Sequence, residues 1–433
     1  MPKLCKDDMD FVDCQLAIVR ERSDTISDIQ KKNVAQDVSV VNMLKITREF
    51  IRNKKLVCYG GSAINDILPP DARFYNPKLD VPDYDFYSPK AMEHAIELAN
   101  IFHKAGYGNI EAKAGVHHGT YKVFADYVPV ADITMIPYGL FKKLQKEAMV
   151  IDHIHYAPPD FLRMSMHLEL SRPMGDVSRW EKVVKRLELL DHYYPMRGEN
   201  CPPVNISKGI VNNDPIQKNI FDTVIQQGGV FFGAFAAGMF MKNGRMGMTP
   251  SFDVLTTNPN RMVDMLKNNI RELNVTIEIE KHEENSEIIP EHYTFIVNGK
   301  ARIYVYKPIA CHNYNVIHED NISIRVATVD TILSFYLAFI YAGTEYNVDR
   351  LMCMSYQLFK MHRDRESMGK PLMRRYTLPC IGKQMSLRDI MVQRGNKMKS
   401  IKNKTSKEYQ SWFLKYDPSN KKKKGGKTRK ARK

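Results

Sequence analysis

Three aspartates supply the most suggestive chemistry in this sequence. Asp83 and Asp85 stand two residues apart in VPDYDFYS, and Asp132 lies within the apolar run VADITMI. Both runs predict β-strands, in which residues i and i+2 point to the same face. Because adjacent like charges are costly to desolvate, cations must lie among them unless the segment is a solvated loop. Three converging carboxylates suit a site for two Mg²⁺ ions.

A glycine pair precedes the acids in LVCYGGSAINDIL. This pattern predicts a short strand, a tight turn at Gly60 and Gly61, and a helix with Ser62 as its N-cap. Glycine lets a ligand approach the backbone closely, and a helix N-terminus offers free N–H groups with a positive dipole. Alone, the motif also fits a purely structural turn. Together with the three acids, it predicts that Gly60, Gly61 and Ser62 bind phosphate.

The composition indicates which class of protein the chain belongs to. The chain has 433 residues, which is enough for two or three cores, and 43% of them are hydrophobic, as in soluble globular proteins. Its most apolar runs, 228–241 and 333–343, are shorter than the ~20 residues of a membrane-spanning helix. We therefore expect no membrane partner.

Charge and cysteine usage narrow the class further. The formal net charge is +15, and the last thirteen residues, 421–433, contain nine Lys or Arg and no acid. Such a segment predicts a disordered tail that attracts polyanions, or else a localisation signal or a solubilising end. Seven scattered cysteines include no CxxC pair, which predicts reduced thiols and no disulfide framework or zinc site.

The second half of the chain repeats the first weakly but in order. VFFGAFAAGMFM lies against VCYGGSAINDIL, PSFDVLTT against PDYDFYSP, and ARIYVYKP against VADITMIP. In this alignment Asp253 matches Asp85, whereas Ser251 replaces Asp83 and Ile303 replaces Asp132. The second copy therefore keeps the scaffold and has lost two of three acids. We infer that the fold does not require Asp83 or Asp132.

These motifs together resemble a known group of enzymes. YGGSAIN, PDYDFYS and a third aspartate on a later strand are similar to the DNA polymerase β-type nucleotidyltransferase superfamily. With the inactive second half, the chain resembles the poly(A) polymerase catalytic subunits of large cytoplasmic DNA viruses, of the poxvirus and giant-virus type. The resemblance implies an α+β fold, with a catalytic nucleotidyltransferase domain followed by a degenerate nucleotidyltransferase-like domain.

The expected domains follow from the motifs and from a loop-rich stretch near residue 197. They are an N-terminal helical segment (1–35), the catalytic domain (36–197), the inactive domain (198–418) and the basic tail (419–433).

The resemblance also implies an activity. It is template-independent addition of AMP from ATP to RNA 3′ ends, in viral transcription and mRNA processing, by a two-metal mechanism with Mg²⁺ or Mn²⁺. Asp83 and Asp85 would ligate both ions, and Asp132 would ligate the ion that activates the primer 3′-hydroxyl. Gly60, Gly61 and Ser62 would bind the ATP phosphates.

Other functions share the same residues. A terminal uridylyltransferase or a cyclic-dinucleotide synthase uses the same three acids, and a non-catalytic RNA-binding or dimerisation subunit is the alternative from another class. The expected partners are ATP, the RNA 3′ end and, as an open alternative, a second copy of the chain. The resemblance implies a cytoplasmic location in the viral factory of the infected host, with the virion as a second place.

Overall fold

The structure of the protein is a computed structural model. It describes residues 4–5, 8–76, 78–82, 84–198, 201, 214–240, 251–284, 288–319, 322–342, 347–363 and 375–423. The chain divides into two compact units, Met1–Ala157 with Met391–Lys433, and Pro158–Ile390. The domain boundaries read from the sequence, at 35/36, 197/198 and 418/419, stay predictions. Within the described helices, no segment has the length and apolarity that crossing a membrane requires.

The described part of the chain contains strands and helices throughout. The strands are β1 (Val57–Cys58), β2 (Asp85–Ser88), β3 (Glu111–Ala114), β4 (Thr120–Ala125), β5 (Val128–Met135), β6 (Met149–Ile151), β7 (Ile154–Tyr156), β8 (Val230–Phe232), β9 (Phe252–Leu255), β10 (Ile277–His282), β11 (His292–Val297), β12 (Lys300–Tyr306), β13 (His312–Glu319), β14 (Ile322–Ala327), β15 (Cys380–Ile381) and β16 (Lys415–Tyr416). The helices are α1 (Phe11–Ala35), α2 (Val38–Lys54), α3 (Gly60–Ile67), α4 (Ala91–Lys104), α5 (Tyr138–Glu147), α6 (Pro159–Leu170), α7 (Trp180–Tyr193), α8 (Pro215–Gln226), α9 (Gly233–Phe240), α10 (Pro259–Arg271), α11 (Val329–Ala342), α12 (Val348–Arg363), α13 (Leu387–Ser400) and α14 (Lys407–Phe413).

The first unit is built on an eight-stranded sheet with the order β16-β3-β4-β5-β2-β1-β7-β6. Its strand β4 alternates as a half-covered strand should: Tyr121, Val123 and Ala125 are buried and the residues between them are half-exposed. The helix α4 covers the buried face with Leu98 and Phe102, which are fully buried. The other face of β4 therefore remains accessible.

The second unit repeats this arrangement. Its sheet has the order β10-β11-β12-β9-β8-β14-β13-β15. Apart from the outermost strands β16 and β15, the two sheets correspond strand for strand, and α10 follows β9 as α4 follows β2. Within the second unit, α6 packs against α11. The helix α6 follows β7, and α11 follows β14, which takes the place of β7 in the second sheet. The predicted fold, α+β with two related sheets, is confirmed.

The strand pairing corrects one position of the repeat. Asp85 pairs with Asp132 across β2 and β5, and Asp253 pairs with Tyr304 across β9 and β12. Tyr304, and not Ile303, therefore corresponds to Asp132. The prediction was wrong by one residue because it aligned the prolines that follow the strands, and the second copy has one residue fewer before its proline.

The cysteines also differ from the prediction. The structure pairs Cys5 with Cys14, Cys201 with Cys353 and Cys311 with Cys380, and leaves Cys58 as a buried thiol. The prediction of reduced thiols was wrong for these six. The partners in Cys201–Cys353 and Cys311–Cys380 are 152 and 69 residues apart and meet through the folding of the second unit, whereas Cys5 and Cys14 are nine residues apart in the first unit. The basic tail begins with a 3₁₀ helix, Pro418–Lys423. Residues 424–433 of the predicted disordered tail lie outside the described residues.

Candidate active site

Two of the three predicted acids are brought together by neighbouring strands. The first residue of β2, Asp85, is the cross-strand partner of Asp132 on β5. Parallel neighbours in a sheet lie about 4.8 Å apart, so the two carboxylates share one face of the sheet. The strand predicted over 81–88 begins only at Asp85. Asp83 lies outside the described residues, so its position relative to the pair stays a prediction.

The predicted phosphate turn lies directly beside Asp85. The backbone N–H of Tyr59 donates to the carbonyl oxygen of Asp85 at 3.0 Å, which aligns the end of β1 with the start of β2. Gly60 has a φ of +75°, and a Cβ on it would lie 2.7 Å from Asp85 Oδ2. Only glycine meets both demands, because side chains disfavour this φ and the carboxylate fills the space.

The helix after this turn begins earlier than predicted. It starts at Gly60, and Tyr59 occupies the N-cap position without a side-chain hydrogen bond. The prediction of Ser62 as the N-cap was wrong; Ser62 lies within the first turn of α3 and is buried. The first-turn backbone N–H groups of a helix have no intrahelical acceptor and carry the positive end of its dipole. This end of α3 is therefore placed beside the acids and suited to an anionic group.

A lysine that the sequence reasoning missed completes the charge balance. Lys122 on β4 is the cross-strand partner of Asp132, and its Nζ donates a hydrogen bond to Asp132 Oδ2. The side chain of Asp132 is 15% exposed and that of Lys122 is 39% exposed. The ammonium therefore neutralises a carboxylate that would otherwise be costly to bury. The alternating pattern TYKVFA followed by a two-residue turn was the signal for this pairing.

Hydrogen-bonded aromatic residues lie one row further along the same strands. The rings of Tyr59 and Tyr87 stack with centroids 3.9 Å apart. The hydroxyl of Tyr59 lies 2.8 Å from Thr134 Oγ1. Burial raises the pKa of Tyr87 well above its usual value, and the nearby Tyr59 and Asp85 raise it further. The phenol of Tyr87 therefore stays neutral beside the acids over the physiological pH range.

The arrangement suits divalent cations and phosphate. Hard carboxylate oxygens on adjacent strands are the ligands that Mg²⁺ and Mn²⁺ prefer. The Lys122 ammonium, bound to Asp132, already shows that a cation is accommodated there. The described residues alone contain no group of three or more His, Cys, Asp or Glu placed to hold a metal ion, and Asp83 is not among them. Asp85 and Asp132, with a third ligand, fit the predicted metal site.

The segment that contains the site is similar to a known family. Residues 45–176 match the family model described as the poly(A) polymerase catalytic subunit, and this range contains Gly60, Asp85, Lys122 and Asp132. The resemblance predicted from the motifs is confirmed for this segment.

Individual relatives agree with the family match. A putative poly(A) polymerase catalytic subunit of African swine fever virus (strain Badajoz 1971 Vero-adapted) is 33% identical over 174 residues, which are 39% of this chain and 36% of that protein. The corresponding putative subunit of Acanthamoeba polyphaga mimivirus is 28% identical over 184 residues, 41% of this chain and 30% of that protein. The match thus spans about a third of the length of these relatives.

A solved structure extends the likeness to the whole fold. The crystal structure of the Megavirus polyadenylate synthase superposes with a TM-score of 0.79, at 20% sequence identity, and covers 98% of this chain and 92% of that one. At this identity the likeness concerns the fold, and it includes both sheets.

Proposed function

We propose that this chain is a template-independent polyadenylate polymerase, which transfers AMP from ATP to the 3′ end of RNA. The observation that carries the proposal is the pairing of Asp85 with Asp132 beside the Gly60 turn, inside the segment that matches the poly(A) polymerase family model. The names of the viral relatives support the same activity.

The residues would divide the reaction between them. Asp85 and Asp132, with Asp83, would hold Mg²⁺ or Mn²⁺, two ions in all. When bound, such ions neutralise phosphate charge and lower the pKa of a hydroxyl group. The turn at Gly60 and Gly61 and the first turn of α3, including Ser62, would bind the triphosphate through backbone N–H groups. The RNA 3′-hydroxyl gives up its proton to solvent, its oxygen attacks the α-phosphorus, the bond from this phosphorus to the bridging oxygen breaks, and pyrophosphate leaves.

Lys122 would set the position of Asp132 in this reaction. Its ammonium holds one oxygen of that carboxylate before substrates bind, and Asp85 is the cross-strand neighbour of Asp132. Once Asp85 and Asp132 held an ion, the Lys122 ammonium would be available to a phosphate of the RNA. Lys122 is therefore a positioning residue with a second role toward the polyanion.

Primer extension tests the proposal. A short oligo(A) RNA is offered with each ribonucleoside triphosphate in turn, with Mg²⁺ or Mn²⁺, and the products are resolved on a gel. We expect long products with ATP alone, and none after metal chelation. Extension with UTP would indicate a terminal uridylyltransferase, and cyclic products without primer a dinucleotide synthase. RNA binding without turnover under every condition would contradict the enzyme and favour a binding subunit.

We propose further that the chain forms a homodimer through α1. None of the residues of this 25-residue helix is buried. Val12, Leu16 and Val19 fall on one face of it and are 61%, 43% and 59% exposed. Light scattering at micromolar concentration should give twice the chain mass for the native protein, and the chain mass for Val12→Ser with Val19→Ser. A native monomer would contradict the dimer.

We propose a cytoplasmic place of action, in the viral factory of an infected host cell, with packaging in the virion as a second location. The viral origin of the relatives supports this proposal. Immunolabelling of infected cells, with immunoblots of purified virions, tests it; nuclear staining alone would contradict it.

A further inference from the structure

A row of lysines leads away from the acids across the open face of the first sheet. Cross-strand pairing runs from Asp132 to Lys122, from Lys122 to Lys113 on β3, and from Lys113 to Lys415 on β16. Paired residues in neighbouring strands point to the same face, so these side chains form one line. We call Lys122, Lys113 and Lys415 the lysine stripe. It extends three inter-strand steps from Asp132, about 14 Å.

The stripe borders a hollow at the edge of the sheet. The hollow has a volume of about 880 Å³. Two stripe residues, Lys113 and Lys415, line it together with three aromatic residues, Phe124, Tyr127 and Tyr416. The Nζ of Lys113 lies 4.2 Å from the centroid of the Phe124 ring, and the hydroxyl of Tyr416 donates to Asn100 at 2.7 Å. We call this the edge hollow; it combines aromatic rings with cationic groups.

One of these rings stands in a conformation that its residue type disfavours. Asp126 and Tyr127 form the two-residue turn between β4 and β5, with φ values of 45° and 67°. Such turns favour Asn-Gly, because both central residues take a positive φ. Tyr127 is also 79% exposed, so packing does not explain a tyrosine here. A strained, exposed aromatic residue at the rim of a hollow indicates contact with a ligand.

The corresponding region of the second sheet lacks the lysines and the strained tyrosine. Its matching turn is Asn298-Gly299, with φ values of 52° and 72°. The matching row carries Thr294 in place of Lys122 and Glu280 in place of Lys113. Among the described residues, no strand lies beyond β10 in the place that β16 takes in the first sheet. The fold therefore forms without the lysines and without the tyrosine.

Carboxylates pair with two of the three stripe lysines, Lys122 with Asp132 and Lys113 with Glu111, and each paired ammonium keeps further N–H donors. Glu111 forms an ion pair with Lys113 at 2.8 Å. Asp417 at the rim of the hollow accepts hydrogen bonds from the backbone N–H and the hydroxyl of Ser419 and from Asn420. The sequence continues from Asn420 with four further lysines. The remaining ammonium donors and the aromatic rings together suit a phosphate chain whose bases can stack.

We propose that the lysine stripe and the edge hollow bind the single-stranded RNA that is extended, an inference that rests on the proposed function. The RNA phosphates lie along Lys122, Lys113 and Lys415, and a base upstream of the 3′ end stacks on Tyr127 and Phe124 in the hollow. Stacking on aromatic rings with backbone contacts to lysine is how proteins hold single strands without reading their sequence. The stripe aims the 3′ end at Asp132.

Fluorescence anisotropy with labelled oligo(A) and the full chain, without ATP, tests this site. Lys113→Gln with Lys415→Gln should weaken binding about tenfold and reduce the slope of log affinity against log salt by ~1.4, since each lost phosphate contact contributes ~0.7. The matched control, Lys300→Gln with Lys307→Gln, removes two exposed lysines from the second sheet and should leave binding within about twofold. Tyr127→Ala should weaken binding about tenfold, and Tyr127→Phe should restore it.

The possible outcomes distinguish a failure of the RNA-binding proposal from a failure of the polymerase proposal. Equal losses of RNA affinity in the two double-lysine variants would show a non-specific charge effect and overturn the proposed site. Unchanged RNA affinity with a raised KM for ATP would overturn it too, because the stripe would then hold the triphosphate. A photo-crosslinking residue at position 127 gives a second measurement that needs no loss of function, and it should attach to oligo(A). If the native chain extends no primer, the polymerase proposal fails, whereas these binding experiments still decide the site.

Discussion

The first and second sheets share seven strands in one order and differ at the positions that bear charge. In the first sheet the central row reads Lys113, Lys122, Asp132, Asp85 across four strands. The corresponding row of the second sheet reads Glu280, Thr294, Tyr304, Asp253. Both sheets keep the glycine at the turn before the acid, with φ of +75° at Gly60 and +67° at Gly233. Both sheets therefore keep the glycine and the acid beside it, and the scaffold tolerates replacement of the other three residues of the row.

This difference teaches which residues belong to the fold and which to a function. A buried or half-buried charge that only one copy carries is not required by the scaffold that the two copies share. Asp132 and Lys122 form one such pair, because the second copy replaces both with uncharged residues at once. Their joint replacement is physically reasonable, since removing either alone would leave the other unpaired.

The largest effect should come from the acids. Asp85→Asn should lower the rate of adenylate addition by ~10³-fold or more, because a group that organises charge at the reacting phosphate is lost. Asp253→Asn, at the equivalent place in the second sheet, should leave the rate within about twofold. Single-turnover primer extension measures the rate of each variant relative to the native rate. Equal rates for the two variants would erase the distinction between the sheets.

An intermediate effect should come from the turn glycine. Gly60→Ala places a Cβ 2.7 Å from Asp85 Oδ2 at a φ of +75°, so the carboxylate must shift. We expect activity to fall by about tenfold or more, and the free energy of unfolding to fall by about 1–2 kcal/mol.

Gly106→Ala provides the matched control for that variant. Gly106 has a φ of +92°, and a Cβ on it would meet nothing within 4 Å. This variant should show a similar loss of stability with unchanged activity. Chemical denaturation and primer extension on both variants separate strain in the backbone from displacement of the acid. Full activity of Gly60→Ala would contradict the close approach.

The smallest effect concerns stability and has the opposite sign. Tyr127→Gly gives the first hairpin the glycine that the second has at Gly299, and should raise the free energy of unfolding by about 1 kcal/mol, because the positive φ is relieved. Gly299→Tyr should lower it by a similar amount. Thermal melts of the two variants measure both changes. A destabilised Tyr127→Gly protein would show that the tyrosine stabilises its own turn.

Local patterns made much of the site predictable. A glycine pair between an apolar run and a helical segment predicts its turn, since few other residues accept the backbone that Gly60 adopts. Asp132 within an apolar strand indicated a carboxylate with a special partner. The helix α4, with Leu98 and Phe102 on one face, followed from its spacing and is confirmed.

Other features depended on strand pairing. The pairing of Lys415 with Lys113 and two of the cysteine pairs join residues between 69 and 302 positions apart, and neither composition nor spacing marks them as partners. The one-residue error at Ile303 has the same origin. Side chains alternate between two faces, so a shift of one residue in the alignment moves a residue to the opposite side of the sheet.

The sequence by itself determined the two copies of one scaffold, the glycine turn and the presence of all three acids in only the first copy, because these depend on local backbone preference and on the order of strands. Only the tertiary structure decided which charges meet. The strand Lys415–Tyr416 joins the edge of a sheet whose other strands end at residue 156, and so extends a row of lysines toward Asp132. The physical reason is that hydrogen bonding between strands fixes neighbours across any distance in the chain.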